Sequence, residues 1–139
     1  MGAWGVGIFE DDMAYEFSNQ IEENAIQFFK TSFEDAIETD YLEKDEAYAV
    51  LISAAYLDNY FYGTQYENDF DEEDGLSNVN NFQELYVGTS LEELKPYAEK
   101  ALGVVLGDNS ELNELWQESE EDYPLWKENI ISLKNRLKI

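Results

Sequence analysis

Apolar residues recur along this chain at intervals of three and four, the spacing that lines one face of an α-helix. Met13, Phe17, Ile21, Ala25 and Phe28 predict a first helix. Phe33, Ala36 and Ile37 continue its stripe, in the same helix or after a break near Thr31 and Ser32. A second helix reads from about Asp45 through Ala47, Val50, Leu51, Ala54, Leu57 and Phe61, with Gly63 as its stop.

The later part of the chain carries stronger punctuation. Ser90-x-x-Glu93 is a capping-box pattern ahead of Leu91, Leu94, Ala98, Ala101, Leu102 and Val105. Pro96 would cost an internal hydrogen bond if Ser90 capped one continuous helix. The pattern therefore predicts a kink, or a separate short turn at 90–94 with the main helix starting near Lys95. Gly107 ends this segment, and Asn109 or Ser110 caps the next, whose apolar face is Leu112, Leu115 and Trp116. Asp122 then caps a last helix with Pro124 in its first turn, where proline is tolerated. Trp126, Ile130, Leu133 and Leu137 form its stripe, and the basic C-terminus complements its dipole.

Between residues 63 and 89 the helical period disappears. Residues 67–74 carry six acids in eight positions, followed by Gly75 and the Asn-rich stretch from Asn78 to Asn81. A loop of this length is functional or disordered in most compact domains. The fold expected is an all-α, single compact bundle of five or six helices over residues 1–139, with a long acidic and Asn-rich loop at 67–81.

Composition narrows the chemistry. The chain has 139 residues, 44% hydrophobic and 15% aromatic, enough for one buried core. It lacks cysteine and histidine, so disulfides, thiolate nucleophiles, the usual structural zinc sites and His-based triads are excluded. No apolar run approaches the ~18 residues of a membrane span, and the N-terminus does not read as a signal peptide. Gly2 is followed by Val6 where a myristoylation signal wants Ser or Thr. A cytoplasmic location is the expectation.

Thirty-two acids face eight bases, a net charge of −24. Residues 1–94 hold 23 of the acids and only Lys30 and Lys44, whereas Lys127, Lys134, Arg136 and Lys138 face only Glu128 in the last stretch. Such a field repels nucleic acid and anionic membrane and steers basic partners in with fast, salt-sensitive association.

Several motifs invite sharper readings. The glycine-rich opening does not suit phosphate, because Glu10, Asp11 and Asp12 stand where the anion would sit. Its glycines permit tight turns that let Trp4 and Phe9 pack onto the bundle. The run from Asp69 to Gly75 resembles a calcium loop, but in that register positions 6 and 12 are Asp74 and Asn80, which breaks the EF-hand pattern. Tyr56, Tyr60, Tyr62 and Tyr66 cluster at the end of the second helix, as the edge of an aromatic core or as a protein-binding surface. Acid pairs such as Glu22/Glu23 and Glu120/Glu121 lie for the most part on polar helix faces or near helix starts, where solvation and the helix dipole keep them ionised. Trp116 and Trp126 read as core or subunit-contact residues.

The opening Met1-Gly-Ala-Trp-Gly-Val-Gly-Ile-Phe9 resembles the start of a bacterial family, the domain of unknown function 4259, whose members begin M-G-[A/T]-W-G-x-G-x-F. Asn109-Ser110-Glu111-Leu112-x-Glu114-Leu115-Trp116, Trp126 and the closing Leu133 and Leu137 are similar to the same family. The resemblance implies a family and no activity.

Charge and absences together point to an acidic binding protein, an inhibitor or immunity protein that neutralises a basic partner such as a nuclease toxin. Its expected contact patch is Tyr60, Tyr62, Tyr66, Glu67, Asp69, Asp71, Glu72, Glu73 and Asp74. No catalytic residue, metal or cofactor is assigned, and neither nucleic acid nor membrane is an expected direct partner. A DNA mimic would instead spread carboxylates along a continuous face. A housekeeping interaction protein would use its acidity for solubility alone. A metal-dependent carboxylate enzyme would need acids converging inside the bundle.

Overall fold

The computed structural model describes residues 7–9, 12–68, 78–88 and 90–138. They form six α-helices, α1 (Asp12–Glu38), α2 (Lys44–Tyr62), α3 (Phe82–Leu85), α4 (Lys95–Val105), α5 (Glu111–Gln117) and α6 (Tyr123–Leu137). Two 3-10 turns, Val79–Asn81 and Glu92–Leu94, precede α3 and α4. No strand occurs among the described residues, and the all-α expectation holds. An isolated parallel bridge ties Leu42 to Ser110, with Leu42 N–H on Asn109 O (2.8 Å) and Glu111 N–H on Leu42 O (2.9 Å).

Helix α2 is the centre of the bundle and packs against α1, α3, α4, α5 and α6. Residues 50–57, apolar except for Ser53, are all buried, and so are the polar Asp58 and Asn59 that follow. Its ends are set locally. Glu43 and Glu46 form a reciprocal capping box at the start, and Gly63 closes the helix in the left-handed region at φ 70° with its N–H on Asn59 O (2.8 Å).

Helix α1 bends at a place the periodicity does not mark. Thr31 and Ser32 sit in unbroken helix, with the Ser32 hydroxyl donating to Phe28 O (2.7 Å). The break is at Asn24, whose backbone is extended (φ −157°, ψ 85°) and whose Oδ1 accepts from Gln27 N–H at 3.3 Å. Asn24 is thus an N-cap inside one long segment, and the second half of α1 starts afresh behind it. In a straight helix Phe17 and Phe28 would be about 16 Å apart along the axis. Their ring centroids are 5.5 Å apart, so the two halves fold toward each other across the bend.

The buried face of α1 is Ala14, Ser18, Ile21, Ala25, Phe29, Phe33 and Ala36, while Met13, Phe17 and Phe28 are only half-buried beside it. Ser18 ties this face to α2, its Oγ accepting from the Tyr56 hydroxyl at 2.7 Å and donating to Ala14 O at 2.7 Å. Ile21, Ala25, Phe33 and Ala36 of the expected stripe lie on that face, whereas at Met13, Phe17 and Phe28 the buried position is the next residue, Ala14, Ser18 and Phe29.

Most other helix ends follow the expected punctuation, although Asp122, at the N-cap position of α6, makes no side-chain capping bond. Glu92–Leu94 is a separate turn, and α4 starts at Lys95 with Pro96 in its first turn. Ser110 caps α5 by accepting from Asn113 N–H at 3.4 Å. Trp126, Ile130, Leu133 and Leu137 of α6 are all buried. Trp116 and Trp126 stack at 5.8 Å, and both are core residues.

The 63–89 region is only partly loop. Phe82 from α3 is fully buried and packs edge-on against Tyr56 (5.3 Å) and Phe29 (5.7 Å), joining α1 and α2 at the aromatic centre. No helix among the described residues is long and apolar enough to cross a membrane.

Candidate functional site

The expected contact residues fall into different surroundings. Tyr60 is half-buried, its ring edge-on to Phe61 (4.8 Å) and Tyr86 (5.8 Å). Tyr62 is 50% exposed, and its hydroxyl oxygen accepts from Lys95 Nζ at 3.0 Å. Glu67 is exposed. Tyr66, next to it, turns inward. Asp69, Asp71, Glu72, Glu73 and Asp74 lie outside the described residues, as do the first nine positions of the calcium-like register; only its last three, Asn78 to Asn80, are described.

Tyr66 ends on a carboxylate that periodicity passes over. Asp58 belongs to the last turns of α2 and has 0% exposure. Its Oδ2 accepts the Tyr66 hydroxyl at 2.7 Å and the Arg136 Nε–H at 2.9 Å, while Arg136 Nη2 reaches the Tyr66 oxygen at 3.5 Å. This is the one ion pair among the described residues. The second carboxylate oxygen, Oδ1, is buried with no hydrogen-bond partner among them. Burial, and then the Asp58 charge, push the Tyr66 hydroxyl well above the ordinary phenol range. Burial works against the Arg136 charge, but the bonds to Tyr66 and Asp58 outweigh it and hold the guanidinium ionised.

The same region pins both ends of the acidic loop. Tyr66 N–H donates to Asn80 Oδ1 (2.7 Å) and Asn80 Nδ2 donates back to Tyr66 O (2.9 Å), so one side-chain amide satisfies both backbone groups of Tyr66. Asn59, buried, donates to Thr64 O (3.0 Å) and accepts from Gln83 N–H (2.8 Å). Asn78 Oδ1 accepts from Asn80 N–H at 3.0 Å. Tyr66 and Asn80, which flank the acidic run in sequence, therefore form a closed neck. The Asn-rich stretch is the clasp of that neck, a role its composition did not announce.

The described part of the glycine-rich opening meets this clamp. Phe9 is buried, with its ring 5.6 Å from Tyr66 and 6.1 Å from Tyr56, as a structural reading of the motif requires. Trp4 lies outside the described residues. A cleft of about 430 Å³ opens between Gly7–Phe9, Tyr66–Glu67 and the Asn129, Ser132 and Arg136 face of α6.

The remaining acids are dispersed. Among the described residues no group of three or more carboxylates converges to hold a metal ion. Around the α1–α2 connection and on α5, Glu38, Asp40, Glu43, Asp45 and Glu114 are exposed, with Lys44 as the nearby base in sequence. Tyr41 bridges this end by donating to Glu114 Oε2 at 3.1 Å.

Asp58, Asn59, Asn80 and Arg136 are the positioning residues that sequence reasoning missed. The available signal was Asp58 itself, an acid closing the near-continuous apolar run of 47–57.

The comparisons add a family and nothing about activity. No curated protein and no solved structure matches the chain. The profile described as domain of unknown function (DUF4259) matches residues 2–129, nearly the full length, and the protein belongs to that family.

Proposed function

We propose that the protein is an acidic binding protein that inhibits a basic partner, with a nuclease toxin as the most concrete case. The observation that carries this reading is uncompensated charge. The chain has a net charge of −24, and among its described residues a single ion pair forms, the one between Asp58 and Arg136. The other described carboxylates form no ion pair with a lysine or arginine, and their field reaches a partner before contact does. In this mechanism they cover the lysines and arginines that the partner uses on phosphate backbones.

The test is affinity isolation from the producing cell, followed by assay of the captured protein. A basic protein is expected, held at low salt and released as salt rises, whose nucleic-acid cleavage falls to background at equimolar inhibitor. Neutralising the acids in residues 67–74 asks whether that loop is the contact. Capture of no basic protein, or of one whose activity is untouched, would overturn the reading.

A further inference from the structure

The bend at Asn24 creates a second feature that charge alone does not suggest. Between the halves of α1 and the first turns of α2 lies a groove of about 280 Å³. Phe17 and Phe28, half-buried and in ring contact, line it together with Ala49. Asp35, Asp45 and Glu46 stand around it. Asp35 and Asp45 are exposed and form no ion pair among the described residues. Glu46 also accepts the Glu43 N–H at 3.1 Å. No lysine or arginine lines the groove.

We propose that this groove is the docking site for a basic segment of a protein partner. One apolar side chain of that segment seats on Phe17 and Phe28, and flanking lysines or arginines meet Asp35, Asp45 and Glu46. The inference rests on the proposed function and gives it a contact site distinct from the 67–74 loop.

Size and charge select this occupant. Small-molecule sites hold ~300–1,000 Å³, and this groove falls just below that range, enough for one large side chain and the aliphatic stem of a neighbour. An anionic ligand would face three carboxylates with no cation to answer them, which disfavours nucleic acid and anionic lipid. A purely apolar segment would leave those carboxylates crowded at a drying interface. An apolar anchor flanked by cations satisfies both parts, with aromatic rings giving the contact area and the rim giving register.

The experiment is amide chemical-shift mapping on the isotope-labelled full chain, titrated with an amphipathic Lys/Leu peptide and with a Lys/Ser peptide of equal charge. Saturable shifts are expected at Phe17, Phe28, Asp35 and Ala49 with the Lys/Leu peptide, and weak, diffuse shifts with the other. The double variant Asp35→Asn/Asp45→Asn should lose about tenfold in affinity, as two rim ion pairs would. Glu118→Gln/Glu121→Gln, with the same change in net charge at exposed positions elsewhere, should stay within about twofold. Equal losses in the two variants, or shifts spread over the whole acidic surface, would overturn the groove. The proposed function has its own readout. If the isolated basic partner binds Asp35→Asn/Asp45→Asn as well as wild type but is still released by salt, the groove fails and the inhibitor reading stands. Binding indifferent to salt and to every charge variant sinks both.

Discussion

Tyr66 and Arg136 place their donors on the same oxygen of Asp58, at 2.7 and 2.9 Å, across 70 residues of chain. The arrangement ties three elements together, since Asp58 belongs to α2, Arg136 to α6 and Tyr66 to the base of the acidic loop. A carboxylate with 0% exposure is stable there only because its countercharge comes with it.

Removing that countercharge should be costly. Breaking a buried pair from one side costs about 3–5 kcal/mol, and the 38% exposure of the Arg136 side chain lowers the expectation to about 2 kcal/mol. Tyr66→Phe removes one hydroxyl and should cost about 1 kcal/mol. Urea unfolding of Arg136→Met and Tyr66→Phe measures both. An Arg136→Met protein as stable as wild type would mean the pair does not hold the fold.

Alkaline pH should loosen the bundle through its buried phenols. Burial and the Asp58 charge raise Tyr66 above the ordinary value of 10.0, and burial, partly offset by the Ser18 bond, raises Tyr56. The folded chain keeps these protons above pH 10 while the unfolded chain releases them. Their stabilisation is therefore complete below about pH 10 and is lost as pH rises above it. Each phenol contributes a slope of about 1.4 kcal/mol per pH unit. Urea midpoints between pH 8 and 11.5 should fall less steeply in Tyr66→Phe than in wild type.

The loop neck makes a local prediction. The Tyr66 amide donates to the Asn80 side chain and to no helix or sheet ladder. In Asn80→Ala its hydrogen exchange should accelerate about tenfold or more beyond any global loss of stability, while the buried α6 amide of Ile130 follows the global change alone. Equal acceleration at both sites would show that the neck opens only with the whole protein.

The bend in α1 depends on a cap. Asn24→Ala leaves the Gln27 N–H without its acceptor and should cost about 1 kcal/mol, with Asn24→Ser restoring most of it. Thermal melts followed by circular dichroism at one protein concentration distinguish the three proteins. No difference between Ala and Ser would argue against capping.

Gly63 is the position with positive φ among the described residues, at 70°. A Cβ there would meet Gln83 Oε1 at 3.3 Å as well as the left-handed backbone. Gly63→Ala should therefore destabilise by about 1 kcal/mol, read from the urea midpoint at unchanged slope.

Local chemistry determined much of this protein. Gly63, Pro96, Ser110 and Pro124 mark helix ends or first turns because the forces at a helix terminus act within a turn of it. The α6 stripe was legible because its four buried residues keep an unbroken helical period. Charge and the opening motif were equally plain. Tertiary structure decided the rest. Asn24 is unremarkable until the two halves of α1 fold across it and bring Phe17 against Phe28. Phe82 sits in a stretch without period, and only the space left between α1 and α2 makes it core. Asp58 and Arg136 lie 78 positions apart, and no local pattern pairs them. A buried charge finds its partner through the packing of whole helices, and spacing along the chain carries no record of that choice.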